Sequence, residues 1–126
     1  MGCNYVFGVS ELCALDDGKL LVLEREFYVP KLKIGAWCNC KIFVVNPSGK
    51  SVNKVLHKSL LWKSKSRLSL FKRGLANYEG MCLGPYLSNG NRLLLLVADS
   101  QCRYKGLLSD WFRTLVLELK TEDDDK

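Results

Sequence analysis

Ser10-Glu11-Leu12-Cys13-Ala14-Leu15-Asp16-Asp17-Gly18-Lys19-Leu20-Leu21-Val22-Leu23-Glu24-Arg25 decides the reading of this chain. Its centre, Asp16-Asp17-Gly18, is a hairpin turn signal. Aspartate side chains bond the backbone two residues on, and glycine enters positive φ at no steric cost. The half-apolar run 10–15 lies on one side and the mostly apolar run 19–25 on the other, both of strand length. Further on, Cys40-Lys41-Ile42-Phe43-Val44-Val45 is closed by the breaker run Asn46-Pro47-Ser48-Gly49. Ser51-Val52-Asn53-Lys54-Val55-Leu56 then alternates with period two. These runs predict four antiparallel strands in chain order, with a looser stretch from Phe27 to Trp37 between the second and third.

The order then begins again. Asn77-Tyr78-Glu79-Gly80-Met81-Cys82-Leu83-Gly84 resembles the first strand, with Cys82 where Cys13 fell, and Ser88-Asn89-Gly90-Asn91 repeats the turn. Residues 92–100 repeat the second strand and 114–119 the third, after which the chain runs into the acidic tail 121–126. Repeated four-stranded antiparallel units are the mark of a β-propeller blade. The expected fold is therefore all-β, a partial propeller with blade-like repeats over about 8–56 and 76–119 inside a segment spanning 1–120. Between the repeats, the stretch from Leu56 to Leu75 mixes apolar, basic and serine residues without a sustained period. A surface loop is expected there, with a short helix or a peripheral strand as alternatives.

Size and charge bound the function. The chain has 126 residues, 48% of them hydrophobic and 25% charged, which is ordinary globular composition for one modest domain. Its longest apolar run, Leu93 to Ala98, is far short of the ~20 residues of a spanning helix. The first fifteen residues show no secretory leader. The formal net charge is +6, yet Glu122 to Asp125 hold four of the thirteen acidic residues. From Phe27 to Tyr78 there is no Asp or Glu but there are eleven Lys or Arg. Such a block binds phosphates or nucleic acid when it gathers on one surface. Spread over several strand- and loop-like runs, it reads here as a solvated face, and no nucleic-acid partner is expected.

Several catalytic schemes fail on spacing. Six cysteines allow fifteen pairings, and Cys38-Asn39-Cys40 has no second pair at zinc-site distance. Gly8-Val9-Ser10-Glu11-Leu12 breaks the G-x-S-x-G elbow at its last position. The one histidine, His57, lies in a basic stretch with no acid near it in sequence to orient it. Gly49-Lys50-Ser51 ends like a phosphate loop but has Val44 in place of the upstream glycine. Met1-Gly2-Cys3 hints at acylation, with Val6 where Ser or Thr is favoured.

Read together, Gly8 to Leu12, Asp17 to Arg25 and Lys41 to Val45 resemble the family named for the esterase-like activity of phytase, the phytase-like proteins. Asn77-Tyr78-Glu79-Gly80-Met81, Leu83-Gly84-Pro85 and Leu94 to Ser100 resemble that family's C-terminal signature. The similarity runs over about 8–119, and family domains are more than twice as long, so this chain matches their carboxy-terminal portion. The resemblance implies a β-propeller-like fold and hydrolysis of a phosphoester or carboxylic ester, with a small anionic or ester substrate. A propeller also needs more blades than two, which implies the rest of a longer propeller chain or self-assembly as partner.

The candidate catalytic residues are Glu24, Arg25, Glu79 and Asp99. Glu24 and Arg25 end one strand, Glu79 flanks the first strand of the second repeat, and Asp99 takes Arg25's place there. Carboxylates converging on a channel would suit calcium, an oxygen-seeking ion that polarises a phosphoryl or carbonyl oxygen; the sequence fixes no cofactor beyond that. Arg25 would clamp an anion through its planar fork of donors. The competing expectation is architectural: these four residues and Glu11 pair with each other and with backbone amides and lock the repeats, making the chain a non-catalytic propeller or β-sandwich binding module.

Overall fold

The computed structural model describes residues 4–48, 55–69, 74–99 and 111–118. Seven strands run in order: β1 (Asn4–Ala14), β2 (Leu20–Val29), β3 (Trp37–Val45), β4 (Lys58–Arg67), β5 (Tyr78–Tyr86), β6 (Arg92–Ala98) and β7 (Trp111–Leu117). They build two antiparallel sheets, β1-β2-β3-β4 and β5-β6-β7, each strand paired with its neighbour in sequence. The all-β, antiparallel expectation holds, and among the described residues the sheets stay open rather than closing into a ring.

The two hairpins are built alike. Leu15 N–H donates to Lys19 O and Gly18 N–H to Leu15 O; Leu87 N–H donates to Asn91 O and Gly90 N–H to Leu87 O. In both turns a side-chain oxygen, Asp17 Oδ1 or Asn89 Oδ1, accepts the N–H two residues on at 3.0 Å. Gly18 and Gly90 both sit at φ 85°, where a side chain would be strained. Matched turn for turn, Leu21 corresponds to Leu93 and Arg25 to Val97.

The core lies between the sheets. Leu21, Leu23, Cys38, Cys40 and Ile42 of the first sheet are almost fully buried against Tyr78, Met81, Leu94, Leu96 and Ala98 of the second. Each large apolar side chain so buried stabilises by roughly 1.5–3 kcal/mol. Turn for turn, the first sheet buries Leu21 and Leu23, whereas the second buries Leu94 and Leu96, which correspond to Val22 and Glu24. Opposite faces of equivalent hairpins therefore meet. The first strands of the two sheets are tied directly, because Ser10 Oγ lies 3.3 Å from both Tyr78 O and Leu23 O, which share its one proton.

Several boundaries differ from the sequence reading. β1 starts at Asn4, β2 runs on to Val29 before Pro30, and β3 begins at Trp37. The loop expected after Leu56 is instead β4. Its inward residues Trp62, Ser64 and Ser66 are half-buried opposite Ile42, Cys40 and Cys38, while Lys63, Lys65 and Arg67 point outward. The period of two was hidden because two inward positions carry serine, and because the register slips at Ile42/Phe43 and leaves Leu61 over. The fourth strand expected at 51–56 lies mostly outside the described residues, and Val55 and Leu56 belong to no strand. Cys3, Ser100, Cys102, Leu119 and the tail 121–126 also lie outside them.

Candidate functional site

Strand geometry sorts the four candidate residues first. Side chains alternate across a strand, so Glu24 and Arg25 leave β2 on opposite faces. Arg25 points between the sheets, paired across the ladder with Cys40 on one side and Gly8 on the other. Gly8 has no side chain, which leaves room for the guanidinium. Arg25 Nη1 donates to Glu79 Oε1 at 2.8 Å, each side chain 29% exposed. Asn77, itself buried, donates from Nδ2 to the same oxygen at 3.0 Å.

A bulge aims Glu79. The β5–β6 register jumps between Tyr78 and Gly80. Tyr78 faces the core, and strict alternation would turn Glu79 away from it. The extra residue at the bulge instead swings Glu79 toward Arg25, the re-aiming that bulges commonly perform. The register of β1 against β2 also shifts, between Val9 and Glu11, at Ser10.

Beneath the pair lies a thiol couple. Cys38 and Cys40, two apart on β3, share the buried face with their sulfurs 3.9 Å apart. Cys38 Sγ lies 3.7 Å from Asn77 Oδ1, and Cys40 Sγ 3.7 Å from Ala76 O. The bond from its neighbour, with burial, raises the Cys38 pKa; the same bond, helped by a backbone donor at Tyr78 and by Arg25, lowers that of Cys40. The structure records Cys13, Cys38, Cys40 and Cys82 as free thiols.

Glu24 is engaged on the other face. Lys58 Nζ reaches it at 2.5 Å while lying 4.3 Å over the Phe43 ring. Asp99 is exposed beyond the end of β6, and the turn-for-turn match puts Val97 rather than Asp99 in Arg25's place. The structure thus brings Arg25 and Glu79 together and sends Glu24 to the opposite side of its sheet.

A second polar cluster was missed by sequence reasoning. Arg92 Nη1 donates to Asp16 Oδ2 at 2.6 Å, Tyr86 Oη donates to the same oxygen, and Arg92 Nε holds Gly84 O at 3.0 Å. The Tyr86 hydroxyl and Arg92 charge keep the Asp16 carboxyl below its ordinary pKa, and the Asp16 bond raises that of Tyr86. This cluster joins the first turn to the base of the second. Only the kinship of the two turns could have pointed to it.

A calcium centre needs several oxygen donors turned to one point. Here Glu79 is taken by Arg25, Glu24 by Lys58 and Asp16 by Arg92. No three acidic, histidine or cysteine side chains gather among the described residues. The donor set does not fit the ion. An apolar cleft of about 400 Å³ opens between the sheets at the β4 and β7 edges, lined by Trp62, Leu94 and Leu115, with Glu118 its one ionisable lining residue.

The family model described as esterase-like activity of phytase matches residues 4–101. No curated protein and no solved structure matches the chain. No helix among the described residues is long and apolar enough to cross a membrane.

Proposed function

Because this chain belongs to the phytase-like family, described as esterase-like activity of phytase, we propose that it is a two-blade segment of a hydrolase-lineage β-propeller. In this reading Arg25 and Glu79 lock the blades. The observation that carries it is the face-to-back packing. Blades are related by rotation about a central axis, so the front of one rests on the back of the next. Two sheets related by a two-fold axis would bury the same face of each. The burial of Leu21 and Leu23 against Leu94 and Leu96 follows the rotational rule, and the first strands touch through Ser10 and Tyr78, as strands beside a propeller axis would.

The family's ester or phosphoester chemistry then draws its converging groups from further blades, supplied by a longer chain or by self-assembly. A small anionic or ester substrate would meet Arg25 only after Glu79 gave up its contact. A second reading, a non-catalytic propeller or sandwich module that binds a partner, is favoured by one observation: Glu24 and Glu79 are already satisfied by cations.

Hydrolysis of an aryl phosphate and an aryl acetate, with and without calcium, separates these readings. The protein is compared with E79Q and D99N, alongside the thermal midpoint of each. Turnover that survives in both variants, with a lowered midpoint in E79Q, supports the lock. Turnover lost in E79Q at an unchanged midpoint overturns the lock and makes Glu79 catalytic. No turnover by a parent chain that light scattering shows to be assembled removes catalysis from this segment and leaves the binding module, whereas a silent monomer is the lone segment that the first reading describes.

A further inference from the structure

The outer face of the four-stranded sheet carries an arrangement that neither the lock nor the family explains. The ladder registers place its side chains in rows across the strands: Tyr5-Tyr28-Trp37-Arg67, then Phe7-Glu26-Asn39-Lys65, then Val9-Glu24-Lys41-Lys63. Read down the edge strand β4, these rows give a column of Arg67, Lys65 and Lys63, all exposed, at intervals of about 6.6–6.8 Å. Read across the first row, they give an aromatic ledge. Tyr5 and Tyr28 pack on the Trp37 ring at 6.4 and 5.8 Å between centroids, and Lys65 Nζ lies 5.7 Å from it. Tyr5 and Phe7 are each 56% exposed.

We infer that this face binds single-stranded nucleic acid, phosphates along the β4 column and bases over the aromatic ledge. Proteins that hold single strands without sequence preference combine these two features, a cationic track and exposed rings on which bases stack. A cavity of about 370 Å³ lined by Asn39, Lys41, Lys63, Ser64 and Lys65 opens along the track. Lys41 and Lys63 stand directly opposite each other in the ladder. Like charges so placed are destabilising, and a phosphate between them relieves the repulsion. The acidic residues of the face are already engaged: Glu24 by Lys58, Glu26 by Tyr5 and Asn39. The basic residues between Phe27 and Tyr78 looked dispersed in sequence because the described ones fall on two strands and the loop between β2 and β3. Alternation and register gather Lys41, Lys63, Lys65 and Arg67 onto one face.

Lysines on an edge strand also guard against edge-to-edge pairing, and that role requires no ledge of rings. Binding of a fluorescent twelve-nucleotide single strand is therefore measured by anisotropy across a salt series. Duplex DNA, heparin and phosphatidylserine vesicles serve as competitors. The expected result is preference for the single strand, with log affinity falling against log salt at a slope of about −2 to −3, from three or four phosphate contacts. K63E/K65E should weaken binding about tenfold or more and flatten the slope. Y5A, at an exposed edge position, should weaken it about fivefold or more at an unchanged slope, as loss of a stacking ring does; K19A, on the far turn, should change neither. The circular dichroism of each variant is checked first, and Y5A and F7A stand in for one another. The inference is overturned by no binding at low salt, by heparin or duplex competing as well as the single strand with Y5A and F7A neutral, or by vesicles binding where the oligonucleotide does not. It does not rest on hydrolysis, so a silent ester assay leaves it standing. It does rest on this face being open, because a further blade packed front to back on the first sheet would cover the ledge. A chain that light scattering shows to be assembled and that binds no oligonucleotide overturns it.

Discussion

The lock between the sheets makes a quantitative demand on Glu79. One of its oxygens accepts from Arg25 at 2.8 Å and from Asn77 at 3.0 Å, and both charged side chains are 29% exposed. A solvent-exposed ion pair is worth about 0.2–1 kcal/mol, and breaking a fully buried one costs about 3–5 kcal/mol. At this intermediate burial, solvent screens part of the attraction. E79Q keeps an oxygen for Arg25 but removes the charge, and should cost about 1–2 kcal/mol. E79L also strands the Asn77 amide in a buried place and should cost about 2–3 kcal/mol. Urea unfolding followed by tryptophan fluorescence reads this as a shift of midpoint at constant slope. The decisive figure comes from the cycle E79L, R25M and E79L/R25M. Replacing both partners removes two desolvated charges together, so the double variant should be less destabilised than the sum of the singles by about 1–2 kcal/mol. Additive losses, or E79L within about 0.3 kcal/mol of the parent, would refute the lock.

Three further outcomes follow from other parts of the structure. Asp16 has a folded pKa below its ordinary value of 3.8, so its contribution is present above that value and lost as pH falls through the folded one. Thermal melts of the parent and D16N should differ at pH 6 and converge toward pH 2, and a gap that persists in acid would contradict the bond to Tyr86 and Arg92. Of the described cysteines, Cys82 is exposed whereas Cys38 and Cys40 are each 1% exposed. Alkylation with peptide mapping should modify Cys82 in the native protein and the buried couple only on unfolding. A Cβ at Gly84 would lie 2.9 Å from Leu93 Cβ and 3.5 Å from its carbonyl oxygen. G84A should therefore cost about 1–3 kcal/mol by chemical denaturation, and a neutral result would mean that the second register shift of β5 against β6, between Leu83 and Tyr86, yields freely.

How much of this was legible depends on the range of the interaction. The turns at Asp16-Asp17-Gly18 and Ser88-Asn89-Gly90 are local, and their residues predict them correctly because the same side-chain and glycine geometry operates in any context. The apolar run Leu20 to Leu23 and the run Ile42 to Val45 are likewise read from their own composition. β4 was not read because its inward positions are filled by Ser64 and Ser66, and serine gives no apolar signal. Ser66 is held there by polar contacts instead, donating from Oγ to Cys38 O at 3.4 Å and accepting from Ala76 N–H at 3.1 Å. Glu24 and Arg25 part to opposite faces for a reason available in the sequence. Adjacent residues of a strand cannot share a face. The meeting of Arg25 with Glu79 was anticipated in outline, but what aims Glu79 is a bulge, and a bulge is a property of the pairing, invisible in either strand alone.

The same distinction bears on where chemistry can occur in this chain. Between the sheets, the charged, amide and thiol groups are matched one to another, and the buried Tyr78 hydroxyl is the exception. Arg25 answers Glu79, Asn77 bridges toward the thiols, and Ser10 holds two carbonyls. A catalytic group must keep a lone pair or a proton for a substrate, and a cluster closed on itself at 29% exposure or less first has to break contacts worth about 1–2 kcal/mol. On the outer face the balance is reversed. Lys41 faces Lys63 across the ladder, and the edge strand repeats positive charge at every second residue. That face gains from an anion, whereas the interior gains from being left alone. The interior therefore accounts for why these strands pack as they do, and the outer face of the first sheet is where an added ligand lowers the free energy of the structure already formed.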